Sequence, residues 1–460
     1  MRKELTMLSI KSLIPGKATD SYTELPGPRL PPFVGIANKF REKSVQYLLE
    51  LSRKYGDFVR FPSPGIRGVL VSDPEAIKKI LAQSERHYYK GKIYDLAKPL
   101  IGNGLVTAQG PHWRKNRKLA NPAFTEKSLA DYEPHIHAAT SKCIRKIEGQ
   151  QDKDLDSTRY MMDLTFDVVA QSLFSIELDE RAEQLAAWFA EGQDYLGWLF
   201  WYPVPAPLWV PTSRNKRFIE AREGLHSFIR GLIQERRDSH PKNDLLQKLI
   251  DATDEDQNSF SEQQLIDEVL TLMIAGHDTT ALTLSYGLEK LSESKTTVEK
   301  LRAEINEVCG DRTVSIKDLS KMPYLRMVLM EIMRLCPAVY MINRSNRKDV
   351  QFKGYKFKAD TTFFLSQYAV HRHPDYWESP DSFNPERWED PELFKSPAFF
   401  PFGGGPRSCI GNHLAMFEAG IALPEIIRRF DIENSHRQYR YEPNATMTPS
   451  PGVYLRFSEL

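Results

Sequence analysis

The residue types best suited to chemistry lie between Phe399 and Gly411, in the segment FFPFGGGPRSCIG. Three adjacent glycines let the backbone turn tightly and approach a bulky group. Cys409 follows them at the start of a predicted helix, where free backbone N–H groups stabilise a thiolate, the form of cysteine that binds metals. Arg407 precedes it closely and can pair with an anionic group. The segment therefore indicates a thiolate metal site, and the alternative is a glycine-rich loop beside a buried structural cysteine.

The spacing within this segment resembles the haem-binding signature of the cytochrome P450 family, Phe-x-x-Gly-x-Arg-x-Cys-x-Gly. The matching residues are Phe402, Gly405, Arg407, Cys409 and Gly411. The resemblance covers nearly the whole chain, from the segment around Pro26 to the last predicted strand. It implies haem b (iron protoporphyrin IX) as the cofactor and Cys409 as the protein ligand of the iron.

A second segment, AGHDTT at 275–280, places an acid beside an alcohol in a long predicted helix. A threonine hydroxyl can bond back to the carbonyl one turn earlier and widen the helix, which would leave a groove for a diatomic ligand. The alternative is a polar turn in a buried helix. The resemblance implies that Asp278 and Thr279 are the catalytic pair that delivers protons to oxygen, and it gives His277 no role.

Glu331 and Arg334 are spaced to share one face of a predicted helix. Most such pairs are solvated and contribute little to stability. The resemblance implies instead a buried triad, completed by Arg387 of the segment NPERW. Its role would be architectural, because it would hold the loop region that presents the cysteine.

The resemblance also implies basic residues around the haem propionates. Trp113 and Arg117 are one helical turn apart, so both side chains can reach a propionate, although Trp113 alone could be a packing residue. Arg344 matches a propionate-binding position of related sequences, and Arg407 belongs to the same group. His371 lies in a segment typical of the family that has more than one interpretation.

An external electron donor is expected, because no dinucleotide fingerprint follows a predicted strand. The resemblance implies a partner of the ferredoxin or flavodoxin type. Arg114, Lys115 and Lys118 form a basic cluster that could dock an acidic donor. The alternative is an ordinary solvated charged face.

The stretch from Tyr195 to Trp209 is rich in aromatic residues, including Trp198, Phe200 and Trp201. It could be plain core, but the family resemblance makes it a lid over the substrate channel. Such a lid favours an apolar substrate, for example a fatty acid or a terpenoid. The expected pocket residues, carried over by position, are Ile101, Leu270, Ala275, Val339, Ile342 and Met447.

Composition excludes several other classes of protein. Lys and Arg total 62 against 61 Asp and Glu, so overall charge gives no case for a nucleic-acid partner. The 4 cysteines contain no CxxC pair, which favours a reducing compartment. We find no signal peptide and no apolar run long enough to span a membrane, which predicts a cytoplasmic protein.

The elements that position these residues are mostly helical. Apolar residues recur at helical spacing from Pro74 to about Ser320, and Ser261 with Gln264 predicts a capping box before the long helix. Short strands are predicted near both ends of the chain. The expected fold is mainly α with a minor β portion, the P450 fold, with haem between the long central helix and the cysteine loop. Residues 1–460 are expected to form a single haem domain, with 1–35 as an extension and no fused reductase.

These observations predict a haem-thiolate monooxygenase that inserts one oxygen atom from O2 into an apolar substrate. One alternative is a peroxide-driven peroxygenase or an isomerase, either of which could dispense with Asp278 and Thr279. Another is a non-catalytic haem-binding protein such as a gas sensor. A sensor normally couples haem to an output domain, and the sequence shows no such domain.

Overall fold

The structure is a computed structural model that describes residues 21–28, 36–63, 65–150, 153–175, 180–201, 206–238 and 241–460. Most of the predicted N-terminal extension and the side chains of Phe200 and Trp201 lie outside what is described. The mainly helical prediction is confirmed. Among the described residues, no helix combines the length and apolar character needed to cross a bilayer.

Sixteen α-helices occur in the described part of the chain. In order they are α1 (Ala37–Lys43), α2 (Gln46–Tyr55), α3 (Pro74–Ala82), α4 (Lys98–Ile101), α5 (Gly110–Ala120), α6 (Glu126–Leu129), α7 (Glu133–Glu148), α8 (Ser157–Phe174), α9 (Glu180–Trp201), α10 (Ser213–Asp238), α11 (Leu245–Ile250), α12 (Glu262–Ser292), α13 (Lys295–Cys309), α14 (Pro323–Leu335), α15 (Gln367–Val370) and α16 (Asn412–Arg429).

Twelve short strands occur in the same described residues. They are β1 (Phe58–Arg60), β2 (Gly68–Val71), β3 (Tyr88–Tyr89), β4 (Leu155–Asp156), β5 (Ile342–Asn346), β6 (Val350–Phe352), β7 (Tyr355–Phe357), β8 (Thr362–Leu365), β9 (Phe430–Asn434), β10 (Arg440–Pro443), β11 (Met447–Ser450) and β12 (Tyr454–Glu459). The largest sheet has the order β1-β2-β8-β5-β3, in which only the β2–β8 pairing is parallel. Strands β3, β4 and β5 were not predicted, because the first two have only two residues each and β5 is polar at four of five positions.

The long helix α12 has 31 residues and begins at the predicted capping box, in which Ser261 and Gln264 each bond the other's backbone. Its first half packs with α5, α9 and α10 in one apolar cluster. Its second half packs with α14 and α16 in another. Residues 275–280 lie between these two clusters, so the packing that fixes both halves also fixes the acid and alcohol of the AGHDTT segment.

The helix after the cysteine begins later than expected. We predicted a start near Ile410, whereas α16 begins at Asn412, with Gly411 as its N-terminal flanking residue. The residues before it form a turn, with a short 3₁₀ segment over Gly405–Arg407. Cys409 therefore lies in the loop ahead of the helix and not in its first turn.

Candidate functional site

The cysteine loop is held by backbone contacts that require glycine. Gly405 has φ +65°, and a Cβ there would lie 2.1 Å from the carbonyl oxygen of Leu81 in α3. The backbone N–H of Cys409 donates to the carbonyl of Phe402 at 2.9 Å, which closes the loop. Of the four cysteines, Cys409 alone is exposed, although protein surrounds it. A side chain in that situation faces an interior space and not bulk solvent.

The electrostatics of Cys409 differ in part from the prediction. Burial raises the pKa of the thiol, and this effect outweighs the backbone N–H of Gly411 and the charge of Arg117, which both favour the thiolate. The helix start lies too far along the chain to dominate, since its effect falls off within one turn. Arg117 donates from Nη1 to the carbonyl of Ser408 at 2.9 Å, so its guanidinium supports the cysteine loop directly.

Arg407 packs against Trp113 and belongs to a cluster of buried basic side chains. The Arg407 guanidinium lies 4.1 Å from the centroid of the Trp113 ring and donates to Glu85 Oε1 at 2.6 Å. Burial is the main cause that lowers the pKa of Arg407 to about 10, and Arg344 adds to it. Burial and the charges of Arg344 and Arg407 lower the pKa of Lys90 well below its usual value.

The charges in this cluster do not balance. Lys90, Arg344 and Arg407 are three basic side chains, and within the described residues Glu85 is the carboxylate that pairs with them. Arg344 is only 3% exposed, donates to the carbonyl of Asn343, and has a buried Nε without a hydrogen-bond partner among the described residues. Buried charges are costly unless paired. The set therefore fits a group that brings two further carboxylates, as haem does through its propionates.

Lys90 and Glu85 were missed by the sequence analysis. Both lie in the segment ERHYYK between α3 and the following loop, which carries no recognisable motif. Lys90 is 9% exposed, donates to the carbonyl of Val106 and stacks its ammonium 4.6 Å from the ring of Tyr94. Only the folded chain brings this lysine to the arginines, so no local pattern could have indicated it.

Thr279 makes the predicted bond to the previous turn, from Oγ1 to the carbonyl of Ala275 at 2.8 Å. α12 is continuous through this segment. Ala275 is nevertheless exposed in the middle of a helix that is otherwise mostly buried. The surface of α12 is therefore accessible at Ala275, one turn before Thr279.

Asp278 is not a free carboxylate. Its Oδ2 accepts a hydrogen bond from Gln193 Nε2 at 2.5 Å, and its Oδ1 lies 2.8 Å from His277 Nδ1. A further acid, Glu418 of α16, is buried beside Thr280, and burial raises its pKa well above the usual value. Glu418 was also missed, although a lone acid within the apolar stretch that begins α16 was a signal.

The three charged residues of the predicted triad do meet. Arg334 donates to both oxygens of Glu331 at 2.8 Å, and Arg387 Nε donates to Oε1 at 3.0 Å. Trp388 Nε1 donates to Oε2 at 3.0 Å, a contact the sequence did not predict. Arg334 also bonds three carbonyls of the region 371–382, which ties that region to α14.

His371 accepts a hydrogen bond from the segment that leads into the cysteine loop. Its Nε2 accepts the backbone N–H of Phe400 at 3.1 Å. Burial, with the charges of Arg334 and Arg372, lowers the pKa of His371 to about 3, so the ring is neutral and can accept that bond. The role of His371 in this contact is therefore structural, because its partner is a backbone N–H and not an anion.

The predicted pocket residues divide into two groups. Leu270 and Met447 have no exposed surface and Ile101 has 3%, so these side chains are packed in the core and present almost nothing to a cavity. Ala275 is exposed, and Val339 and Ile342 are half-buried. The Cδ1 atom of Ile342 also lies near Gly403 of the cysteine loop.

The lid residues are also divided. Tyr195 is buried against Phe218 of α10, with ring centroids 3.9 Å apart, so it joins two helices and does not cover a channel. Trp198 is half-buried and packs 5.5 Å from the Tyr195 ring. Trp209 is 81% exposed and points into solvent, which corrects its expected place over the substrate.

The basic cluster on α5 is partly neutralised. Lys118 lies 3.2 Å from Glu255, and Arg114 lies 3.9 Å from Glu85. Arg114 and Lys118 are exposed, whereas Lys115 is half-buried. The surface remains accessible, but its net positive charge is smaller than the sequence indicates.

Comparisons with known proteins agree with this site. The family model described as Cytochrome P450 matches residues 25–457. Cyclooctatin synthase of Streptomyces melanosporofaciens is 28% identical and covers 92% of each chain. Cyclooctat-9-en-7-ol 5-monooxygenase of the same organism is 29% identical over 87% of each chain.

Solved structures show the same fold. A cyanobacterial cytochrome P450, CYP120A1, in complex with retinoic acid, superposes with a TM-score of 0.83 at 24% identity, covering 95% of this chain and 99% of that one. The haem domain of cytochrome P450DA gives a TM-score of 0.84 at 23% identity, over 95% and 98% of the two chains.

Proposed function

This chain belongs to the cytochrome P450 family, and from that premise we propose that it inserts one oxygen atom from O2 into an apolar substrate with electrons from a separate donor protein. It is a monooxygenase with haem b as its cofactor. The observation that carries the proposal is the acid–alcohol pair Asp278–Thr279, held between two apolar clusters beside the exposed Ala275.

Bound haem supplies the iron centre at which O2 is reduced and cleaved. Cys409 is the proposed iron ligand, presented by a loop whose turn Gly405 allows. Lys90, Arg344 and Arg407 would hold the propionates, with Trp113 packed against Arg407. Arg117 fixes the carbonyl next to Cys409 and places a cation near the sulfur.

Proton delivery is assigned to the α12 pair. The Thr279 hydroxyl donates to the carbonyl of Ala275 and keeps acceptor capacity for a water on its open side. Asp278 is the adjacent group that can exchange protons with solvent. The pair supports O2-dependent chemistry over the peroxygenase and isomerase alternatives, which need neither residue.

An apolar substrate is proposed from the lining that remains open. Ala275 of α12, Val339 and Ile342 are apolar side chains with accessible surface, and Ile342 lies near Gly403 of the cysteine loop. A relative named for the oxidation of cyclooctat-9-en-7-ol supports a terpenoid-like molecule over a charged one.

The test replaces Thr279 by Val, which has almost the same shape but no hydroxyl. We expect Thr279→Val to bind haem and substrate as before and still to consume NADPH in the presence of surrogate donors. The ratio of product to NADPH should fall by about an order of magnitude, while hydrogen peroxide rises, because the loss of a positioned proton donor slows cleavage.

The matched control is Thr283→Val. Thr283 lies one turn further along α12 and makes the same kind of bond, to the carbonyl of Thr279 at 2.9 Å. Equal coupling in Thr279→Val and Thr283→Val would overturn the proton-delivery role. Product formation by wild-type protein with peroxide alone, but none with NADPH and a donor, would favour a peroxygenase.

A further inference from the structure

The imidazole of His277 packs between α8 and α9 and makes contacts with both helices. Its Nε2 lies 3.0 Å from the carbonyl oxygen of Met162 in α8. The rings of Phe166 and Phe189 meet it edge to face, with centroids 5.6 Å and 5.4 Å away. Its own carbonyl accepts the hydroxyl of Thr165 at 3.1 Å. The imidazole therefore has a single orientation set by α8 and α9.

That orientation determines where the ring protons are. A carbonyl oxygen can only accept, so the Nε2 that faces Met162 carries a hydrogen. The other nitrogen, Nδ1, lies 2.8 Å from Asp278 Oδ1. A bare Nδ1 lone pair so close to a carboxylate oxygen would be repelled. The contact is therefore favourable when Nδ1 also carries a hydrogen.

The contact between the two side chains is electrostatic. Nδ1 has no hydrogen-bond partner among the described residues, so its approach to Asp278 Oδ1 is a close contact without a well-formed hydrogen bond. Both groups are shielded, with the His277 side chain 10% and the Asp278 side chain 17% exposed. Shielding from water strengthens the attraction between opposite charges.

The other carboxylate oxygen of Asp278 is held from a different helix. Gln193 of α9 donates from Nε2 to Oδ2 at 2.5 Å. Each oxygen thus has one partner, one from α12 itself and one from α9. Rotation of the side chain would break one contact or both, so Asp278 has one orientation in this structure.

We infer that His277 and Gln193 are positioning residues that hold Asp278 as an oriented carboxylate for proton delivery. The inference rests on the proposed function, because it concerns the same acid. His277 acts through the contact of its Nδ1 with Oδ1, and Gln193 acts through its hydrogen bond to Oδ2. Because Gln193 belongs to α9, the position of that helix and the orientation of the acid are linked.

The first experiment is a double-mutant cycle that measures how tightly NADPH consumption is coupled to product formation. We expect His277→Gln and Gln193→Leu each to raise the fraction of consumed NADPH recovered as peroxide several-fold, with haem content and substrate-induced spin shift unchanged. In an Asp278→Asn background neither change should add to the effect, because both act through Asp278. Gln184→Leu, at an exposed position of the same helix α9, is the control and should behave like wild type.

The second experiment determines by NMR which ring nitrogens of His277 carry a hydrogen, and it does not require turnover. Protein with 15N-labelled histidine is compared in its diamagnetic ferrous carbon monoxide form, with the signal assigned by His277→Gln. We expect both ring nitrogens of His277 to be protonated in the wild type and only one in Asp278→Asn. This measurement decides the protonation of His277 even if the His277→Gln protein does not turn over substrate.

The outcomes separate the two proposals. Additive effects of His277→Gln in the Asp278→Asn background, or a neutral His277 in the wild type, would overturn the positioning role of the histidine. A Gln193→Leu protein with wild-type coupling would overturn that of the glutamine. Unchanged coupling in Asp278→Asn alone would instead refute proton delivery by Asp278, and the NMR result would still show whether the ion pair exists.

Discussion

At the scale of single residues, Arg344 is the feature that most specifically indicates a bound cofactor, because its guanidinium has no carboxylate partner among the described residues. It is buried in β5 beside Lys90 and Arg407, and its Nε has no partner among the described residues. An isolated buried cation opposes folding, whereas a cation paired with a carboxylate can be neutral or favourable. Arg344 is therefore expected to cost stability without haem and to contribute binding energy with it.

Replacement of Arg344 by Leu should accordingly weaken haem binding without destabilising the haem-free protein. We expect Arg344→Leu to bind haem at least ten-fold more weakly, while the melting temperature of the haem-free protein is unchanged or higher. Haem transfer to apomyoglobin and thermal unfolding of both forms measure this. Arg347→Leu, at an exposed arginine just beyond the same strand, is the control and should change neither. A destabilised haem-free Arg344→Leu protein would contradict the interpretation.

At the scale of elements, two neighbouring acids of α12 fasten the loop between α4 and α5. Asp267 Oδ2 accepts the backbone N–H of Asn103 at 2.8 Å, and Glu268 Oε2 accepts that of Leu105 at 3.0 Å. Glu268 also accepts from Asn116 Nδ2 at 2.5 Å. The clamp joins α12 to the helix that carries Trp113 and Arg117, so it positions the predicted propionate residues.

This clamp predicts a dependence of stability on pH. Burial raises the pKa of Glu268 from 4.5 to about 7. Between these values the folded protein keeps a proton that the unfolded chain has lost, so stability falls as pH rises through that range. The full cost is about 3 kcal/mol, at 1.36 kcal/mol for each pKa unit.

The variant Glu268→Gln cannot ionise and should lack this dependence. We expect the difference in melting temperature between wild type and Glu268→Gln to move in favour of the variant from pH 5 to pH 8. Glu262→Gln, at an exposed position of the same helix, is the control and should show no such trend. A constant difference across this range would mean that Glu268 does not titrate within it.

At the scale of the whole molecule, docking of an electron donor cannot depend on net charge, which is only +1. Steering must come from local charge, and α5 carries the proposed patch of Arg114, Lys115 and Lys118. The ion pair of Lys118 with Glu255 reduces that patch. Any electrostatic contribution to docking is therefore modest and sensitive to screening.

Reduction by an acidic ferredoxin or flavodoxin should slow as ionic strength rises, because salt screens exposed charges within about 10 Å at 0.1 M. We expect Arg114→Glu and Lys115→Glu to lower the reduction rate at low salt by about ten-fold and to flatten its salt dependence. Lys395→Glu, at an exposed lysine outside α5, serves as the comparison. A salt dependence unaffected by the two α5 substitutions would place the donor elsewhere.

Features that depend on neighbours along the chain were predictable. The capping box of Ser261 and Gln264, the bond from Thr279 to the carbonyl of Ala275, and the mainly helical fold all depend on residues within one or two turns. Sequence spacing is sufficient there, because helix geometry converts a spacing of three or four residues into contact. The cysteine segment identified the family for the same reason, since its fixed residues lie within ten positions.

Features that depend on distant segments were decided by the tertiary structure alone. Packing brings Lys90, Arg344 and Arg407 from three regions into one cluster, and it turns Met447 into the core instead of a pocket. The partners of Asp278 come from the adjacent histidine and from a glutamine 85 positions away in α9. The pKa of the Cys409 thiol is likewise set by burial. Sequence alone determined the chemistry that this protein can perform, but burial and charge pairing sum over the whole fold, which local spacing does not describe.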